Sequence, residues 1–256
     1  MDAALADAVA EVQGWLAEAR RIVALTGAGI STDSGIADFR GPNGLWTKDP
    51  SAEKASHIDH YLGDPDVRRR AWRLRLEHPL AAEPNAGHNA LVTLERTGRL
   101  HQIVTQNIDG LHLAAGSDPA RVVEVHGTVR EAACLDCGVR MPMSEALARV
   151  EAGEDDPPCR VCGGILKSAT ISFGQALVPR DLMRADEAAR ACDLLLAIGS
   201  TLSVYPVADM VPTAVAAGAR VVIINGSPTA MDDIADVVLN GSISEILTEL
   251  TANLES

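Results

Sequence analysis

The segment His126-Gly127 closes the short apolar run Arg121-Val122-Val123-Glu124-Val125, and an imidazole set there can work as a base near neutral pH. Three other segments place polar groups directly after apolar runs. Thr105-Gln106-Asn107-Ile108-Asp109-Gly110-Leu111-His112 follows Ile103-Val104, Gly199-Ser200-Thr201 follows 194–198, and Asn225-Gly226-Ser227 follows 221–224. Singly, such residues either cap turns or hold ribose hydroxyls and phosphate; their repetition at successive run ends favours the second use. The stretch Thr26-Gly27-Ala28-Gly29-Ile30-Ser31-Thr32 follows a fourth run, 22–25. Its glycines permit a tight turn and close approach to a ligand, and the residues after Gly29 can open a helix whose free N–H groups favour phosphate. As a dinucleotide fingerprint it is incomplete. Thr32 stands where a third glycine is usual, and the acidic residue expected about 20 positions on would fall at 52–54, a polar stretch unlike a strand.

Four of the five cysteines form two pairs, Cys134-x-x-Cys137 and Cys159-x-x-Cys162, with 21 residues between them. Four thiolates in two such turns suit a tetrahedral zinc, and Gly138, Gly163 and Gly164 ease each turn. With all four ligands supplied by the chain, no coordination position is open for catalysis, so the zinc is expected to be structural. Cys192 precedes an apolar run and reads as a small core residue.

The elements that must position these groups follow from periodicity. Leu5, Val9, Val12, Leu16 and Ala19 recur at helical spacing, and Trp15 and Trp46 read as core packing. Residues 47–83 are charged and helical, with Arg68-Arg69-Arg70 as a solvated face; a helix over 86–97 closes at Gly98. Strands are expected at 103–104, 121–125, 170–172, 194–198, 221–224 and 237–239. Helices are expected near 144–150, 180–190, 207–217 and 243–253, the last opening on a Ser242-to-Glu245 capping box. Continuously apolar strands alternating with helices predict an α/β fold: a Rossmann-like parallel sheet with helices on both faces, plus a smaller domain made of a helical insertion and a zinc ribbon. The expected division is 1–44, 86–133 and 168–256 for the large domain, with 45–85 and 134–167 as insertions.

The chain has 256 residues, enough for a sizeable core, and 22 basic against 35 acidic residues give a net charge of −13. That balance disfavours nucleic acid and anionic membrane and suits a lysine-rich partner. No apolar run spans a bilayer, and residues 1–20 are acidic and helical, unlike a signal peptide; a cytoplasmic protein is expected. Nothing in the sequence indicates an oligomer, so a monomer is the default expectation.

Taken together, GAGIS…SGIADFRG (27–41), TQNIDGLH (105–112), HG (126–127), the two CxxC pairs, SFG (172–174), GSTLSVYP (199–206) and IIN (223–225) resemble the sirtuins, the NAD-dependent protein-lysine deacylases of bacterial type. The motifs run in family order across nearly the whole chain. The resemblance implies that NAD is consumed as a co-substrate. Gly27, Ala28 and Gly29 would line its pyrophosphate, and Asp38, Phe39 and Arg40 would belong to a cofactor loop. Gln106, Asn107 and Asp109 would shape the nicotinamide and ribose pocket, while Gly199, Ser200 and Asn225 would contact the adenosine half. His126 would be the catalytic base, with Asn107 and Asp109 as further catalytic residues. Ile171 and Phe173 would line the acyl-lysine channel, and the backbone at Gly174-Gln175 and Ser203-Val204 would pair with substrate peptide as an added strand. In the implied reaction nicotinamide leaves as the acyl oxygen attacks the ribose carbon. His126 then draws a proton through the ribose hydroxyls, and lysine and O-acyl-ADP-ribose are released.

Several positions depart from the family pattern: Ala37 for a usual proline, Lys167-Ser168 for Arg-Pro, and Gln175 for Glu. Relatives that prefer succinyl or malonyl groups carry Tyr-x-x-Arg in the helical insertion, where this chain has Trp72-Arg73-Leu74-Arg75. Arg75 therefore reads as a solvated charge and acetyl as the expected group, with desuccinylation or demalonylation, or mono-ADP-ribosyl transfer, as alternatives. His88 reads as structural; His112 stays open.

Overall fold

The computed structural model describes residues 2–38, 44–48, 56–77 and 81–254. Among them nine strands form: β1 (Ile22–Thr26), β2 (Leu100–Thr105), β3 (Val122–Glu124), β4 (Gly127–Cys134), β5 (Arg140–Pro142), β6 (Leu166–Thr170), β7 (Leu194–Ile198), β8 (Arg220–Asn225) and β9 (Val237–Asn240). Six of them make one sheet in the order β3-β2-β1-β7-β8-β9, every neighbouring pair parallel.

The continuously apolar runs are explained by helices on both faces. Ala24, Leu194, Leu196, Val222 and Ile224 join one core with helices Ala3–Glu18, Ala86–Arg96 and Ile243–Thr251. Their neighbours in sequence, Val23, Leu25, Leu195, Ala197, Val221 and Ile223, point to the other side and join a second core with helices Pro179–Ala191 and Met210–Ala216. Period-two alternation thus buries every residue of β1 and β7. Trp15 packs at the edge of the first core, with the Arg220 guanidinium 4.7 Å from its ring centre. Ser242 accepts from the Glu245 N–H at 3.4 Å and so caps the last helix.

Chain order fixes where a ligand can enter. From β1 the chain steps outward through β2 and β3, then returns to β7 on the opposite side of β1 and runs out through β8 and β9. The resulting switch point opens a crevice beyond the carboxyl ends of β1 and β7. Thr26 is in register with both Thr105 and Ile198, so residues 27, 106 and 199 leave the sheet at one level.

The remaining strands form an antiparallel sheet in the order β5-β4-β6. Here the sequence expectation needs correction. The strand placed at 170–172 lies at 166–170, and it pairs antiparallel with β4 rather than joining the parallel sheet. Beyond it, Phe173 forms an isolated bridge to His57. Strand β4 itself was not anticipated, because its partner lies across the cysteine-bearing segment and no local pattern reveals it.

Helices Leu45–Lys48, Ile58–Gly63 and Pro65–Glu77 occupy the charged insertion. Trp72, 2% exposed, anchors the last of them in a third core with Ala132, Cys134, Met143, Ala146, Cys159 and Leu166. Arg68 is no part of a solvated face: its Nε donates to Asp156 at 2.8 Å, tying the insertion to the cysteine-bearing segment. The side chain of Trp46 lies outside the described residues.

Candidate active site

A cleft of about 1340 Å³ lies over the switch point and runs to the three-stranded sheet. Gly27, Ala28, Gly29, Asp38, Gln106, Asn107, Asp109, His126, Ile171, Phe173, Gly174, Gly199, Ser200, Val204 and Asn225 all line it. Phe39 and Arg40 lie outside the described residues.

The glycines serve a purpose beyond ligand approach. A Cβ on Gly27 would lie 2.7 Å from Gly199 O, and one on Gly29 would lie 2.7 Å from Gly199 Cα. Gly199 itself has φ +64, and its Cβ would press on the Ile30 backbone nitrogen. The two loops after β1 and β7 are therefore in backbone contact, sealed by Gly27 N–H to Ile198 O (2.9 Å) and Gly29 N–H to Gly199 O (2.8 Å). Residues Ala28–Ser34 form a 3-10 turn rather than an α-helix, and Ile30 N–H donates to Gly27 O at 3.2 Å. The N–H groups of Gly29 and Ile30 are thus already paired, unlike the free donors expected there.

Ser31, which sequence reasoning passed over, organises the next layer. Its hydroxyl donates to Asp109 Oδ2 at 2.8 Å and accepts from Asn107 Nδ2 at 3.1 Å; that amide also donates to Gly27 O at 3.1 Å. Asp109 Oδ1 accepts the Leu111 N–H at 2.9 Å, the other half of a turn that starts the short helix Leu111–Ala115. Ser31, Asn107 and Asp109 are all buried, and none of their side-chain atoms is among the fully buried polar atoms that lack a partner. Behind it, His88 approaches Ser31 Oγ at 3.5 Å and His112 bonds Thr26 Oγ1 at 2.9 Å, the two rings edge to face at 5.0 Å. Burial lowers both imidazole pKa values, that of His112 to about 3, so the pair is neutral. Asn85 heads the helix Ala86–Arg96 with a full capping box to His88 and reaches across to Ile30 O at 2.7 Å.

His126 leaves the parallel sheet where β4 begins. Its Nδ1 lies 2.9 Å from the carbonyl of Gln106. A carbonyl only accepts, so Nδ1 carries the proton and Nε2 the lone pair. Burial lowers its pKa below the ordinary value, against the opposing pull of the Gln106 carbonyl, which leaves the ring an unprotonated base near neutrality. Gly127 follows at φ +74 because β6 crosses there, and a Cβ would collide with Ala169 O. Gln106 Nε2 also donates to Ser200 Oγ at 3.0 Å, linking the base segment to the β7 loop.

The far wall is built from β6 and its extension. Ile171 N–H donates to His126 O at 2.7 Å, which fixes residues 171–174 against the His126 segment; Phe173 pairs with Ser56 and Ile58 through its backbone. Gln175 N–H donates to Ser172 O and Val204 O accepts from Ala208 N–H, so these two backbone groups are already paired within the chain. Arg75 also differs from expectation. It is half-buried in the cleft wall, donating to Ser168 Oγ at 3.1 Å, with Tyr61 of the preceding helix beside it.

The four cysteines converge as expected. Their sulfurs all lie within 4.8 Å of one another, with Cys134–Cys162 at 3.5 Å and Cys137–Cys159 at 3.7 Å. A tetrahedron with Zn–S bonds of about 2.3 Å has sulfurs about 3.8 Å apart, so the set fits a zinc ion.

Comparison with known proteins agrees with this geometry. The Sir2 family model matches residues 27–206. The chain is 49% identical over 234 residues to NAD-dependent protein deacetylase 2 of Streptomyces coelicolor, covering 91% of this chain and 97% of that one. A solved Sir2 structure with a deacetylated peptide and 3′-O-acetyl ADP ribose superposes with a TM-score of 0.86 at 34% identity, covering 95% and 97%. A Sir2 structure bound to acetylated peptide gives 0.84 at 32% identity, with the same coverage. The chain belongs to the Sir2 family.

Proposed function

We infer that this chain is an NAD-dependent protein-lysine deacetylase that moves the acyl group of an acylated lysine onto ADP-ribose. An acetylated lysine, NAD and water give free lysine, O-acetyl-ADP-ribose and nicotinamide. The nicotinamide–ribose bond and the acyl–lysine amide break, and an ester to ribose forms. The observation that carries the reading is the placement of a neutral imidazole, His126, in one cleft with the Ser31–Asn107–Asp109 network at the switch point.

In this reading Gly27, Ala28 and Gly29 receive the pyrophosphate, and Gly199, Ser200 and Asn225 hold the adenosine half. Asp38, Phe39 and Arg40 belong to the cofactor loop. Gln106, Asn107 and Asp109 orient the nicotinamide ribose with fixed dipoles, which stabilise positive charge developing at its carbon without reorganisation. NAD supplies the electrophilic carbon. His126 Nε2 takes a proton from a ribose hydroxyl, and the Gln106 carbonyl holds the ring in the tautomer that can do so. Ile171, Phe173, Gly174 and Val204 enclose the acylated side chain and exclude water.

Zinc at Cys134, Cys137, Cys159 and Cys162 holds the third core together and takes no part in the chemistry, since its four ligands leave no open position. We assign 45–85 and 134–167 to a small domain and 1–44, 86–133 and 168–256 to the large one. We take the chain to act as a monomer on cytoplasmic proteins, not on nucleic acid or membrane; its net charge of −13 disfavours nucleic acid and anionic membrane, and no helix among the described residues is long and apolar enough to cross a bilayer.

Incubation with NAD and an acetyl-lysine peptide tests the reading. Free nicotinamide and deacetylated peptide are expected; accumulation of NADH, or ADP-ribose attached to protein without deacetylation, contradicts it.

A further inference from the structure

Lys167 stands where the family pattern has arginine, and the chain has only two other lysines, Lys48 and Lys54. The exchange keeps the charge and adds a reactive group, because an amine gives up its proton far more readily than a guanidinium. Lys167 is 5% exposed, yet it lines the same cleft as His126. Its amine donates to Thr170 O at 2.6 Å, Thr170 Oγ1 at 3.2 Å and Ser168 O at 3.4 Å, and none of these oxygens carries a charge.

The peptide unit between Thr170 and Ile171 joins this amine to the base segment. Its carbonyl accepts from Lys167, and its N–H donates to the carbonyl of His126 at 2.7 Å. One peptide unit thus separates the Lys167 amine from the main chain of His126. Thr170 is also in register with Gly127, the residue after the base.

An ammonium in this position is held at a cost. Burial, and secondly the like charge of Arg75, lower the Lys167 pKa to about 8, so more of it is free amine near neutrality than an exposed lysine provides. A neutral amine keeps two of the three contacts and frees a lone pair. Free amines attack esters, and the deacylase reading makes an ester, O-acyl-ADP-ribose, in this cleft at every turnover. Acylation of Lys167 would also remove the unpaired buried charge beside Arg75.

We propose that Lys167 is an acyl acceptor, whose amine takes the acyl group of O-acyl-ADP-ribose before that product leaves the cleft, so that the protein acylates itself. The inference rests on the deacylase reading and adds a second acyl transfer to it. The nitrogen lone pair forms a bond to the ester carbonyl carbon. The bond from that carbon to the ribose oxygen breaks, its electron pair stays on the oxygen, and the oxygen takes the proton lost by nitrogen. The products are an amide at Lys167 and ADP-ribose.

Wild-type protein, NAD and a peptide bearing isotope-labelled acetyl-lysine test it, with the peptide in excess so that NAD is exhausted and the label cannot be removed again. Peptide mapping by mass spectrometry reads the labelled fraction at each lysine. Label on Lys167 is expected at about ten times the level on exposed Lys48 or more, because only an amine held where the ester forms gains from proximity. The same mixture without NAD should leave Lys167 unlabelled. Formation of O-acetyl-ADP-ribose with Lys167 unlabelled, or with Lys48 labelled to the same extent, overturns the inference alone. So does label on Lys167 without NAD, since the acyl group would then come directly from the peptide. A reaction that yields no O-acetyl-ADP-ribose overturns the deacylase reading as well.

Discussion

His126 and Gln106 are joined by a hydrogen bond between the imidazole Nδ1 and the main-chain carbonyl, 2.9 Å long. That bond fixes the tautomer, and burial keeps the ring unprotonated. With the pKa depressed, the competent base is present at high pH and lost as pH falls through the folded value. The acid limb of kcat/KM should therefore have its midpoint below about 6.5 and fall about tenfold per pH unit beneath it. A midpoint above that, or a flat profile from pH 5 to 8, contradicts the assignment.

The Ser31 hydroxyl has one proton and gives it to Asp109, while Asn107 donates to its oxygen. Asn107→Ala and Ser31→Ala should each lower kcat about 100-fold by loosening the groups we propose orient the ribose, with unchanged circular dichroism. Variants with wild-type kcat would remove the network from the mechanism.

Gly199→Ala forces a side chain onto φ +64 and against the Ile30 backbone. Strain of about 1–3 kcal/mol should lower Tm by roughly 2–12 °C. Gly14 lies inside the first helix with nothing within 4 Å of its added Cβ, so Gly14→Ala should be stabilising by about 0.5–1 kcal/mol. Thermal unfolding of both checks the contrast, and equal Tm values would contradict the loop packing.

Cys134 and Cys159 belong both to the metal site and to the third core. Cys134→Ala should lose zinc by elemental analysis and melt the core around Trp72. Cys192→Ala should keep one zinc per chain, because Cys192 is buried in a different core. A soluble, active, zinc-free Cys134→Ala would contradict a structural role.

His112 has its pKa pushed down to about 3 by burial and by His88. The unfolded chain takes up its proton near 6.5, so this residue's contribution to stability is full above that value and declines as pH falls toward 3. His112→Gln should flatten the dependence of unfolding free energy on pH between 6.5 and 4 in urea titrations. An identical slope would contradict the neutral buried state.

The sheet and the strand-end residues were legible because each signal is local. An apolar run marks a strand, and the polar residue after it, whether Asn107, His126, Ser200 or Asn225, must emerge at the carboxyl edge. The paired cysteines were legible for the same reason. What escaped depends on which distant loops touch. Ser31 gains its importance from Asn107 and Asp109, more than 70 positions away. Lys167 stood out in the sequence only as a departure from the family pattern; its burial comes from the pairing of β6 with β4, which no periodicity announced. Tyr61 reaches the cleft from one helix and Arg75 from the next, so a search for a tyrosine three residues before the arginine could not find it.

The central claim is that the cleft breaks a nicotinamide–ribose bond in order to remove an acyl group, with His126 accepting the proton. Mass-spectrometric quantification of all three products from one reaction, run with wild type and His126→Ala, tests it most directly. The account predicts nicotinamide, unmodified lysine peptide and O-acyl-ADP-ribose in equal amounts from wild type, and no deacylated peptide from the folded, zinc-containing variant. Deacylation at wild-type rate by His126→Ala, or lysine release without an acylated ADP-ribose, would contradict it.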